Sequence, residues 1–72
     1  MKRFHTIEKI TDDGTIRILF KRGNKIIAFA ENKFRTWLYW FGKPSKRPSV
    51  CYWKTTYEDV EKDIFGEVNK EV

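Results

Sequence analysis

Cys51 and His5 are the only cysteine and the only histidine in the chain, and so its only thiol–imidazole pair. Nucleophilic catalysis needs such a pair within hydrogen-bond reach, with a third group orienting the imidazole. Nothing in the sequence marks either condition. His5 alternates with Arg3 and Lys9 in a pattern that places it on a strand face. One cysteine and one histidine far apart also make no metal-ligand spacing. Asp12-Asp13-Gly14 opens like a calcium loop but lacks its later ligands, and the scattered glycines build no phosphate cradle. Carboxylates cluster only near the C-terminus. The expectation is a protein without catalytic residues, metal or cofactor.

The residues that do suggest chemistry are cationic and aromatic. Lys43, Lys46 and Arg47 fall in Gly42-Lys43-Pro44-Ser45-Lys46-Arg47-Pro48-Ser49, a basic loop whose prolines favour an extended chain that could enter a nucleic-acid groove. Around it lie Arg35, Trp37, Tyr39, Trp53 and Lys54. Rings can stack on bases while cations neutralise phosphates, as in sheet-based binders of single strands. The same rings could equally fill the core of so small a domain.

Charge is divided along the chain. Residues 1–54 hold 13 Lys/Arg against 4 Asp/Glu, whereas residues 55–72 hold 2 against 6. A basic body with an acidic end can orient toward a polyanion. The acidic segment then belongs on the side away from phosphates.

The 72 residues suffice for one domain, 1–72, without room for a second core. Aromatic residues make up 17%, which compensates for short length because each ring removes a large apolar area from water. A lone cysteine implies a reducing compartment, and no apolar run is long enough for a signal peptide or membrane span. The expected location is cytoplasmic.

Period-two alternation predicts strands over about 3–10, 15–21, 25–31, 34–41 and 50–54. Thr11-Asp12-Asp13-Gly14 marks one turn and Gly23-Asn24 a two-residue hairpin. The basic loop covers 42–49. From about 56 to 70 the period lengthens, with Tyr57, Val60, Ile64 and Val68 on one stripe and Phe65 beside it, predicting an amphipathic helix. Thr55 followed by Glu58 has the form of a capping box, and Gly66 is a point where the helix could end. The fold class is therefore α+β: an antiparallel meander of about five strands, or a partly closed barrel, followed by one helix.

Two functions fit this outline. One is a non-enzymatic nucleic-acid-binding protein, acting on DNA or RNA through the basic loop and an aromatic sheet face. Its size and composition suit an accessory or regulatory factor of a virus or mobile element. The other is an inhibitor or adaptor that uses Trp, Tyr and Arg as a hot spot on a protein target, including a second copy of itself in a homodimer.

Overall fold

The computed structural model describes residues 5–69. Arg3 and Phe4 of the expected first strand and Lys70 of the expected helix lie outside that range. Five antiparallel strands follow one another in both sequence and space: β1 (His5–Ile10), β2 (Ile16–Arg22), β3 (Lys25–Lys33), β4 (Thr36–Trp40) and β5 (Tyr52–Lys54). A short 3₁₀ turn (Pro44–Lys46) interrupts the β4–β5 connection, and the helix α1 (Tyr57–Asn69) completes the α+β chain. The sheet order β1-β2-β3-β4-β5 leaves β1 and β5 as free edges, so this is the open meander and not the barrel.

The helix lies on one face of the sheet. Val60 and Ile64 are fully buried against Ile18, Phe20, Ala28, Ala30 and Tyr39. Ala28 and Ala30 on β3 have only methyl side chains, which leaves space for the helix. Rings seal the margins, with Tyr57 stacked near Phe20 at 6.2 Å and tilted against Trp37 at 5.1 Å. The Thr56 hydroxyl accepts the Asp59 N–H at 3.3 Å, so the cap is Thr56 and not the Thr55/Glu58 box. The helix runs through Gly66 to Asn69; a Cβ at Gly66 would meet nothing, so the glycine serves no close packing there. The side chain of Val68 lies outside the described set.

Residues directly opposite one another on antiparallel strands share a sheet face. On the helix-free face Ile7, Leu19, Phe29 and Trp40 form one cross-strand row, and Lys9, Arg17, Glu31, Leu38 and Trp53 form the next. A bulge between Phe20 and Lys21 shifts the β2–β3 register so that Lys21 meets Ile26. Leu19, Phe29 and Trp40 are buried although no helix covers them.

The loop after β4 supplies that cover. Instead of projecting as an extended hook, the basic loop turns at Pro44–Lys46, where the Lys46 N–H bonds the Lys43 carbonyl at 3.1 Å. Gly42 has φ of 147°, and a Cβ there would come within 2.9 Å of Pro48. Glycine at this point lets Pro48 close against the start of the loop, which then folds back over the sheet.

The β3–β4 connection also departs from expectation. Asn32 and Lys33 continue the ladder, Lys33 pairing with Thr36, and the two residues expected to begin strand four, Phe34 and Arg35, form the hairpin turn. Both have positive φ, 52° and 65°. That is the backbone of a type I′ turn, in which Asn and Gly are the favoured occupants.

A candidate nucleic-acid interface on the helix-free face

Between Asp13 and Glu58 the sequence contains a single acidic residue, Glu31, and the structure buries it to 2% exposure. β2 and β3 bring Arg17 opposite it. Arg17 donates from Nε at 3.0 Å and from Nη2 at 2.8 Å to Glu31 Oε2. The returning loop delivers Arg47, which donates from Nη2 to the same oxygen at 2.9 Å. Lys33 Nζ approaches the other oxygen at 3.8 Å. One carboxylate therefore gathers three cations and neutralises the charge of one.

The apolar row below is part of the same assembly. Phe29 and Trp40 stack at 4.8 Å with their planes 13° apart. The Arg47 guanidinium lies over Trp40 at 4.5 Å and over Phe29 at 5.6 Å, and Arg17 lies 5.9 Å from the Phe29 centroid. Cations at such distances are drawn to the ring faces by roughly 0.5–2 kcal/mol each. Arg47 thus holds the loop down in two ways at once: an ion pair with Glu31 and a guanidinium laid over the rings of Trp40 and Phe29.

Lys9 lies directly opposite Arg17, and Lys21 adds a further cation four residues along β2, beyond the Leu19 row; the strip from Lys9 across Arg17 to Lys33 and Arg47 borders one open depression. At its rim the β1–β2 turn presents Asp12 and Asp13. Hydrogen bonds from Thr11 and then Thr15 hold the Asp13 carboxyl well below the usual carboxylate range. The Thr15 N–H donates to it at 3.0 Å, so this carboxylate is committed to the turn.

On the other side of the sheet the sign reverses. Glu58, Asp59, Glu61, Asp63 and Glu67 all lie on α1, which covers the opposite face. Asp63 accepts the hydroxyl hydrogen of Tyr39. Burial, followed by that carboxylate, pushes the Tyr39 phenol above its ordinary value near 10, and burial with nearby Glu61 does the same for Tyr57.

The eight residues singled out from sequence are divided by this geometry. Arg47 and Trp53 are on the helix-free face, Trp53 with 63% exposure. Lys43 precedes the 3₁₀ turn and Lys46 ends it, both exposed, and Arg35 is exposed in the β3–β4 turn. Tyr39, at 1% exposure, is core, and Trp37 packs beneath Tyr57. Lys54 lies opposite Trp37 and lines a shallow depression with Asp59, Lys62 and Asp63 on the helix side. Lys9, Arg17, Glu31 and Lys33, which the fold gathers beside Arg47, were not singled out from sequence. The isolation of Glu31 among cations was the available signal for most of them.

Among the described residues no three His, Cys, Asp or Glu side chains are grouped to hold a metal, and no helix is long and apolar enough to cross a membrane. The chain matches no protein-family model, no curated protein and no solved structure.

Proposed function

We propose that this chain is a non-enzymatic nucleic-acid-binding domain that takes up phosphates on its helix-free sheet face. The observation carrying the reading is the partition of charge by the sheet. Lys9, Arg17, Lys21, Lys33 and Arg47 share one face with a single buried carboxylate, while the helix carries its acids on the other. A polyanion approaching the first face meets excess positive charge and is held away from the helix carboxylates by the thickness of the sheet.

The arginines are also suited to the task chemically. A guanidinium has five N–H donors, of which Arg47 uses one edge on Glu31, so others remain for a phosphate oxygen. Its orientation is already fixed, which lowers the side-chain entropy lost on binding.

Fluorescence anisotropy with labelled DNA and RNA at about 50 and 200 mM salt tests the reading. Neutralisation of about four phosphates gives a slope of log affinity against log salt near −3.6 on duplex DNA. Lys9→Glu together with Lys21→Glu, two changes outside the Glu31 cluster, is expected to weaken binding and flatten that slope by about two units in the folded protein. Absence of binding at the lower salt would reject the proposal and direct attention to a protein target.

A further inference from the structure

Phe34 is 97% exposed at the tip of the β3–β4 hairpin, between Lys33 and Arg35. Its backbone lies in the left-handed region with φ of 52°, and Arg35 follows with φ of 65°. For side chains with a Cβ this conformation is unfavourable, and for a bulky ring it is uncommon. A fully exposed phenyl ring gives nothing back through packing. The turn therefore carries both an apolar surface in water and a strained backbone, a combination found where a side chain serves a partner.

Trp53 is the second open ring. It projects from β5 on the helix-free face, in the same cross-strand row as Leu38, Glu31, Arg17 and Lys9. Leu38 is four residues along the hairpin from Phe34, roughly 13 Å at strand spacing. Two exposed rings thus lie within reach of a few nucleotides, with Lys33, Arg35, Arg17 and Arg47 nearby.

We infer that this edge of the domain binds single-stranded nucleic acid, with Phe34 and Trp53 stacking on bases and the neighbouring cations holding the phosphates between them. The inference rests on the nucleic-acid reading above and specifies its substrate class. Cations alone would serve a duplex equally well. Exposed ring faces add affinity only where a base face is open, and in a duplex those faces are occupied by neighbouring bases. The exposed rings are what favour the single strand.

The test compares a short oligothymidylate with a duplex of equal length, using the full chain and the variants Phe34→Gly, Trp53→Ala and Trp53→Phe. Gly is used at position 34 because it removes the ring while relieving the backbone. Tighter binding of the single strand is expected, with a loss of about 10-fold or more on removal of either ring. Trp53→Phe, which keeps a stacking surface, retains most of the affinity, and thermal melts establish that each variant is folded. Salt-sensitive binding that is equal for both nucleic acids, or unchanged by either ring deletion, overturns the inference and leaves the phosphate-binding reading standing. Ring deletions that weaken only duplex binding overturn it in favour of a wedge between base pairs. No binding of either nucleic acid overturns both.

Discussion

Replacing Phe34-Arg35 by Asn-Gly is expected to make the protein more stable and a poorer binder. The turn places both residues at positive φ, 52° and 65°. Left-handed backbone costs about 1–2 kcal/mol for an ordinary L-residue, and less for Asn or Gly. Two such sites give a gross relief of about 2 kcal/mol. The new glycine gives back roughly 0.5–1 kcal/mol, because it loses more freedom on folding. The net gain is about 1 kcal/mol. With a ring exposed to 97% no core contact is lost in exchange. A domain of this size should then melt about 4–8 °C higher, which differential scanning calorimetry at fixed pH and salt will resolve. In parallel, single-strand affinity should fall by about 10-fold or more from loss of the ring alone, and further from loss of the Arg35 charge. A melting temperature that is unchanged or lower would refute the assignment of strain to this turn. Higher stability with undiminished binding would show that the strain has nothing to do with nucleic acid.

Three other perturbations follow from the same structure. Trp37→Ala should destabilise the fold by about 3 kcal/mol, because its ring packs under Tyr57, while Trp53→Ala should change stability by under about 1 kcal/mol; thermal melts separate them. Glu31→Gln should cost about 3 kcal/mol by leaving Arg17, Lys33 and Arg47 without their shared counter-charge, yet phosphate binding by the folded variant should change little, since the negative charge removed from the face offsets the orientation lost by the arginines. Raised phenol pKa values at Tyr39 and Tyr57 mean that their contribution to stability is complete below about pH 10 and declines above it, where the unfolded chain ionises first. Tyr39→Phe should accordingly blunt the alkaline loss of melting temperature.

The order of strands and the final helix were legible because both rest on periodicity, and burial on each face enforces it. Ile18 and Phe20 alternate as a strand facing a core must, with Ile16 continuing the pattern to an exposed end, and Tyr57, Val60 and Ile64 repeat as a helix lying on that core must. The β3–β4 turn was not legible, because Phe-Arg carries none of the Gly or Asn chemistry by which a type I′ turn is recognised, and Asn32 and Lys33 look more like punctuation than the residues after them. The bulge at Phe20/Lys21 leaves no compositional mark either. Arg47 was singled out as a free cation at a loop tip. Its placement is set by contacts with Glu31 and Trp40, which only the folded loop brings within range. Charge reversal at Arg47 would therefore set a second carboxylate against Glu31 and confuse folding with binding, whereas Lys43 and Lys46, exposed on the same loop, allow the loop to be tested cleanly.

The Glu31 cluster has a consequence for how so small a domain could hold a cationic site in place. Three like charges brought together on a sheet repel one another, and in solution long side chains would separate them. A carboxylate at 2% exposure reverses this: it is screened little by water, so it attracts Arg17 and Arg47 strongly, and its hydrogen bonds fix their directions. The stacked pair Phe29 and Trp40 then fixes the plane of the Arg47 guanidinium from below. The loop is held by the same residue, so loop closure and cation placement are one event. A phosphate arriving at this face meets cations already oriented and only partly neutralised. Removing Glu31 should therefore weaken the scaffold and leave the attraction, which is why the Glu31→Gln variant separates the structural share of this cluster from its share in binding.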